Sequence, residues 1–260
     1  MAQNFVGKGL PISSKGMSAV CETLGVGEPE IWAVLTVETR GFGFLPDRRP
    51  QILFERHIFS RRTDGKFDAK NPDISNRKPG GYAGGADEYP RLEKAMKLDE
   101  DAALRSASWG LPQVMGFNFR VVGFESVNEM VTAFVESEDR QLDALSRFIM
   151  ATPKCRIGIQ RRDWGTFAAA YNGPDFRKND YDNRLAAAFE KSKRMLPDLG
   201  LRAVQVALTY LGYKPGAVDG LRGRLTRGAL IEYQTKAKLP ATGELDEATE
   251  TKLMADAFPS

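Results

Sequence analysis

Glu38 is set apart from the other carboxylates of this 260-residue chain by its surroundings. It closes the run Ile31-Trp-Ala-Val-Leu-Thr-Val-Glu38, an apolar segment followed by Gly41 and Gly43. Pro29 suits the first turn of a helix, where its missing N–H would have no partner. Ile31, Trp32 and Leu35 repeat at helical spacing and predict a face turned to a core. The two glycines stop the helix, so Glu38 falls in its last turn. Helix-end carbonyl dipoles disfavour an anion there, and apolar neighbours disfavour it further. A carboxyl group so placed holds its proton at neutral pH and can donate it, as a general acid must. Taken alone, the segment fits an ordinary exposed glutamate at a helix end better than an acid.

The bulk numbers exclude several other chemistries. Hydrophobic residues make up 42% and charged residues 27%, the balance of a soluble globular protein of one large or two smaller domains. There is a single histidine, His57, whereas zinc peptidases and amidases need two or three. No metal and no organic cofactor is expected. Cys21 and Cys155 are too few for a disulfide framework and predict reduced thiols. The net charge of +3 gives a mild preference for anionic partners, concentrated between Arg147 and Arg194. That stretch is either a solvated face or an attractor of an acidic polymer. No nucleic-acid module is visible, so nucleic acid is not an expected partner. No apolar run could span a bilayer, and residues 1–16 lack the apolar centre of a signal peptide.

The elements that must position Glu38 are mostly helical. Ser13 predicts an N-cap for a helix through Leu24. Phe42 to Phe54 reads as a small hairpin around a Pro-Asp turn, and Glu55 to Phe59 opens a helix. Thr63 to Tyr89 is a long Gly/Pro/Asn/Asp-rich loop, of a length that is often functional. Helices follow over Tyr89–Leu98, Glu100–Ala107, from Ser126 to Ser137, over Asp139–Ala151, from Pro153, over Trp164–Tyr171 and over Tyr181–Arg194. Ser108 to Met115 interrupts them, and Asn172-Gly173-Pro174 breaks the chain. From residue 199 three more helices are expected, Leu201–Leu211, Thr226–Lys236 and Thr249–Ala255, as a unit of about 60 residues with regular apolar positions.

Three segments together resemble the lysozyme-like superfamily of goose-type lysozymes and lytic transglycosylases. They are the helix ending in Glu38, the run Ser108-Trp-Gly-Leu-Pro-Gln-Val-Met115, and Ala169-Ala-Tyr-Asn-Gly173. The second resembles a Gly-Leu-Met-Gln motif with Pro112 in place of methionine, and the third an Ala-Tyr-Asn motif. Ile52-Leu-Phe-Glu-Arg-His-Ile-Phe59, Arg105–Gly110 and Tyr171–Pro174 are similar to the N-acetylmuramidase domain of phage endolysins, over roughly residues 5–190. The pattern Val204-Gln205, Leu211-Gly212-Tyr213, Val218-Asp219-Gly220, Tyr233-Gln234 and Thr242-Gly243-Glu-Leu-Asp246 resembles peptidoglycan-binding modules of cell-wall hydrolases.

The resemblance implies a mainly α fold: a lysozyme-like helical catalytic domain with a small β-hairpin over residues 1–194, and a three-helix peptidoglycan-binding domain over 199–260. It implies cleavage of the β-1,4 bond between N-acetylmuramic acid and N-acetylglucosamine, with Glu38 as general acid. Such chemistry usually needs a second carboxylate. Glu55 is the leading candidate, ahead of Asp47, Asp64 and Asp68, and a salt bridge to Arg56 is its structural alternative. Ser108, Gln113, Tyr171 and Asn172 are implied to line the cleft. Their plain alternatives are an N-cap for Ser108, a core position for Tyr171 and a C-cap for Asn172. His57 is either a core residue bonded to backbone or a substrate contact. Trp109 is the one tryptophan placed to act as a sugar platform. Asp219 and Gly220 hold a turn of the binding module and border its ligand groove. The expected partner is bacterial peptidoglycan, met by a monomer with no stable membrane insertion. The protein would gather in the cytoplasm of an infected host cell and reach the wall after membrane permeabilisation. A lytic transglycosylase giving 1,6-anhydro products is the nearest rival, and a non-catalytic wall-binding protein the other.

Overall fold

The computed structural model describes residues 4–39, 41–173 and 175–259. Thirteen α-helices and one three-stranded sheet make up these residues, and none of the helices is long and apolar enough to cross a membrane. The chain is mainly α, as its periodicity predicts.

α1 (Ser14–Leu24) starts where the Ser13 hydroxyl accepts from the Gly16 N–H, and ends where Gly25 turns left-handed at φ +63°. α2 (Glu28–Thr39) carries Glu38 and is largely buried, with every residue from Ile31 to Leu35 buried. Such a helix belongs at the centre of its domain. Its C-terminus closes with the Gly41 N–H reaching back to the Leu35 carbonyl, Gly41 being left-handed (φ +85°).

β1 (Ile52–Phe54), β2 (Ala107–Trp109) and β3 (Val114–Met115) lie side by side in an antiparallel sheet, with Ile52 opposite Trp109 and Ser108 opposite Met115. The expected small hairpin around Pro46-Asp47 is present, with the Leu45 N–H bonded to the Arg49 carbonyl and the Gln51 N–H to the Gly43 carbonyl. Between its two halves there is only one bridge, Phe44 to Pro50. Its second half pairs with β2, more than 50 residues away, where Ile52 and Phe54 are buried opposite Trp109 and Ala107. The interruption at Ser108–Met115 is the β2–β3 hairpin.

Between them lie α3 (Arg56–Arg62), α4 (Glu88–Met96) and α5 (Glu100–Arg105). The long loop before α4 is tied down from within. Arg56 donates to the carbonyls of Pro72, Lys78 and Pro79, and Asp68 accepts from Ser60 and Ser75. α6 (Val127–Glu136), α7 (Glu138–Ala151), α8 (Pro153–Arg161), α9 (Trp164–Tyr171) and α10 (Tyr181–Arg194) complete the bundle. α10 packs along α2, and α8 along α9. Ser126, Ser137 and Asp163 cap α6, α7 and α9 through side-chain oxygens, as polar residues before apolar runs should.

After Met195–Asp198 come α11 (Leu199–Tyr210), α12 (Arg224–Ala237) and α13 (Glu247–Ala257). One device holds them twice. Gln205 on α11 accepts from the Gly220 N–H and donates to Thr226 on α12. Gln234 on α12 accepts from the Gly243 N–H and donates to Thr249 on α13. Each buried glutamine thus fixes the turn after its helix and the start of the next. Both glycines are left-handed, and a Cβ on Gly220 would meet the Asp198 backbone at 2.7 Å.

The last three helices are docked on the rest. Arg202 and Glu138 are both fully buried and form a two-pronged ion pair at 2.5 and 2.7 Å. Arg202 also donates to the Gly41 carbonyl, and Glu138 accepts from Ile12 N–H and Gly43 N–H. Tyr210 donates to the Gly9 carbonyl at 2.8 Å, with the Arg48 guanidinium over its ring at 4.4 Å. Phe42, Phe44, Val206 and Val218 share one buried cluster across this junction.

Candidate active site

Glu38 sits where the last turn of α2 meets the end of α9. Asn172, the C-cap of α9, donates from Nδ2 to Glu38 Oε1 at 2.9 Å. Arg184, on α10, donates to the Val37 carbonyl at 3.1 Å and places a positive charge nearby. Part of the Glu38 side chain reaches solvent, yet protein atoms crowd its carboxyl group. Burial therefore dominates and pushes its pKa up to about 7, against the opposing pull of Asn172 and Arg184. A carboxyl group with that pKa is protonated often enough near neutrality to act as an acid, and its conjugate base can then take the proton back.

A cleft of about 600 Å³ opens beside Glu38. Thr39, Phe42, Phe44, Pro46 and Gln51 line it from the N-terminal side, and Thr209 with Gly216, Ala217 and Val218 from the last three helices. Thr39 and Gln51 carry no motif signal and are legible only once α2 and β1 are seen side by side.

The β2–β3 turn braces the end of α2. Thr39 donates to the Leu111 carbonyl at 3.0 Å. Gln113 donates to the carbonyls of Gly110 and Gln51 and accepts from the Ser108 hydroxyl at 2.8 Å. The polar atoms of the Gln113 side chain are thus engaged by protein, and it holds a left-handed backbone at φ +50° that the turn imposes. Tyr171 donates to the Pro112 carbonyl at 2.7 Å and stacks on Phe167. Burial drives its phenol pKa well upward, so it stays a donor. The three motif segments accordingly converge: one supplies Glu38, one supplies Asn172, and the third is bonded to the neighbours of both. The Asn172 Oδ1 is buried without a partner among the described residues.

Glu55 and His57 form a different cluster. Glu55 accepts from the Tyr82 hydroxyl at 3.0 Å, and its Oε2 lies 3.0 Å from His57 Nδ1. The His57 Nδ1 is off-line for a hydrogen bond and has no partner. Neither residue is joined to Glu38 by a hydrogen bond or ion pair among the described residues. The expected Glu55–Arg56 bridge is absent from those contacts, because Arg56 is engaged by the loop carbonyls. His57 is half-buried and lines a surface pocket with Arg61, Asp64 and Arg77. Trp109 does not fit the platform role expected of it. It is fully buried, donates to the Leu104 carbonyl and packs on Phe5, because its strand is the middle one of the sheet. Burial pushes the thiols of Cys21 and Cys155 up to about 11, which leaves them unreactive.

On the last three helices, Asp219 and Gly220 hold their turn through Gln205. A separate groove of about 490 Å³ lies on that unit, among Arg222, Arg224, Arg227, Glu244 and Glu250, and neither Asp219 nor Gly220 lines it.

Residues 28–193 match the N-acetylmuramidase family, and residues 198–253 match the peptidoglycan binding domain. The crystal structure of the Burkholderia AP3 phage endolysin is similar, with a TM-score of 0.65 and 36% sequence identity over 75% of this chain and 73% of that one. A search of curated proteins finds no match. Family match and fold agree, and the chain belongs to the N-acetylmuramidase family: a glycoside hydrolase that carries a peptidoglycan-binding domain.

Proposed function

We propose that the protein lyses bacterial walls by hydrolysing the β-1,4 bond between N-acetylmuramic acid and N-acetylglucosamine, with Glu38 as general acid. The observation that carries this is a cleft-lining carboxyl group whose pKa burial has raised to about 7. Glu38 gives its proton to the oxygen of the departing sugar as the anomeric C–O bond breaks, and the ring that keeps the anomeric carbon gains oxocarbenium character. Water then adds at the anomeric carbon, and its proton returns to Glu38 or to a second base. Asn172 orients the carboxyl group. Residues 1–194 form the catalytic domain in this proposal, and 199–260 the wall-binding one. The chain meets the wall once the membrane is breached.

Peptidoglycan digestion with product masses tests the reaction. Hydrolysis should leave reducing muramic ends, one water heavier than the 1,6-anhydro products of a transglycosylase. kcat/KM should fall about tenfold per pH unit above pH 7, as Glu38 loses its proton. An anhydro product would move the enzyme to the transglycosylases, and a rate rising above pH 8 would remove Glu38 as the acid.

We infer that Glu55 is the second carboxylate of this scheme. Among the described residues no arginine pairs with it, and its oxygens face Tyr82 and His57 at the start of α3. Glu55→Gln should lower kcat by about 10²-fold without changing wall binding. Near wild-type turnover would leave assistance by the substrate's own acetamido group as the remaining route.

A further inference from the structure

We propose that the peptidoglycan-binding domain forms one wall of the catalytic cleft and grips the glycan next to the scissile bond through Thr209 and the loop Gly216–Val218. This rests on Glu38 being the acid of a muramidase.

The cleft that holds Glu38 is built from both parts of the chain. Phe42, Phe44 and Gln51 face it from one side, and Thr209, Ala217 and Val218 from the other. Its surface alternates apolar and polar groups, which is what a pyranose needs: flat C–H faces against apolar side chains, and edge hydroxyls and acetamido groups against hydrogen-bonding ones. Thr209 donates its hydroxyl proton to the Gln205 carbonyl at 2.8 Å, which leaves its oxygen free to accept from a sugar hydroxyl. Gln51 donates to the Phe42 carbonyl at 2.6 Å, which aims its Oε1 as an acceptor on the opposite side. Gly216 is exposed and left-handed at φ +88°, and a Cβ there would press on Leu225 at 3.2 Å, so the loop offers bare backbone to the cleft. Ala217 beside it is exposed.

The second wall is held as firmly as the first. Thr209 precedes Tyr210, whose hydroxyl is bonded to Gly9. Val218 lies in the same buried cluster as Phe42 and Phe44. Arg202 binds the carbonyl of Gly41, a few residues past the acid itself. A glycan seated on Glu38 therefore meets a pre-formed surface on the binding domain, and the ordering of that surface is complete before substrate arrives.

Full-length protein should be assayed on soluble, peptide-free glycan strands, where capture of the intact wall plays no part. Ala217→Trp fills the cleft from the side of the binding domain. It should raise KM about tenfold with kcat within about twofold and Tm unchanged. Thr209→Val, which keeps the shape and removes the hydroxyl, should raise KM several-fold, and Thr209→Ser should restore it. A merely structural role for Thr209 would move Tm and would not be rescued by serine. Wild-type KM for both Ala217→Trp and Thr209→Val would overturn the proposal while leaving the muramidase reading intact. Wild-type protein that released no reducing ends from these strands would overturn the muramidase reading and this proposal with it.

Discussion

Glu38→Gln should lower turnover of peptidoglycan about 10³-fold and leave binding to intact walls unchanged. General acid catalysis is worth 10²- to 10⁴-fold, and the position of Glu38 at the junction of α2, α9 and the cleft leaves no obvious substitute donor. The amide keeps the acceptor for Asn172, so the local geometry survives and the loss is one of chemistry. A second signature accompanies it. The folded-state pKa of Glu38 is raised above its ordinary value of 4.5 to about 7. The unfolded chain therefore releases this proton first, and stability is lost as pH rises between about 4.5 and 7. A shift of that size corresponds to at most about 3 kcal/mol, and partial solvent contact reduces it to about 1–2 kcal/mol. Glu38→Gln escapes that loss, so it should melt a few degrees above wild type at pH 8 and level with it at pH 4. Digestion with release of reducing ends, run beside thermal melts at both pH values, checks both. A variant that retained more than about a tenth of wild-type turnover would remove Glu38 from the mechanism.

Arg202→Met should be the most destabilising single change in the chain. It leaves the Glu138 carboxylate fully buried without its cation, a loss of about 3–5 kcal/mol. In a protein of this size that is roughly 6–20 °C in Tm. Adding Glu138→Gln removes the stranded charge and should recover part of the loss. It should not recover all of it, because Ile12 N–H and Gly43 N–H are matched to a carboxylate with two acceptors. Urea unfolding of the two single variants and the double variant gives the coupling energy of the pair. A Tm within about 2 °C of wild type for Arg202→Met would show that the pair is not what joins the two parts.

Much of the fold is local and therefore legible in the sequence. Ser13, Asp99, Ser126 and Asp163 cap the helices that their positions predict, because a short polar side chain before an apolar run has one good use there. The helix before Glu38 is visible from Pro29 to Gly41 for the same reason. Pairing at a distance does not show. Strand β1 is three residues long, too short for a period, and its partner β2 lies inside a motif that looks like an interruption. Arg202 and Glu138 each look like one more surface charge on a helix, and only their contact at 64 residues' separation reveals otherwise. Trp109 carries an aromatic's ambiguity between sugar platform and core, which only the sheet resolves. The motif puts Asn172 beside the acid, and the structure gives it the hydrogen bond that the motif alone could not specify.

The stiffness of the junction also governs how the enzyme moves over its substrate. A domain hung on a long, loose tether lets its partner sweep a sphere and attack many bonds during one stay on the surface. Here only Met195 to Asp198 separate α10 from α11, and a buried ion pair locks α11 in place. If the proposed function holds, Glu38 addresses only the bond that each landing of the binding domain delivers. Progress along an intact wall should then proceed by release and rebinding, with residence time on the wall setting the pace.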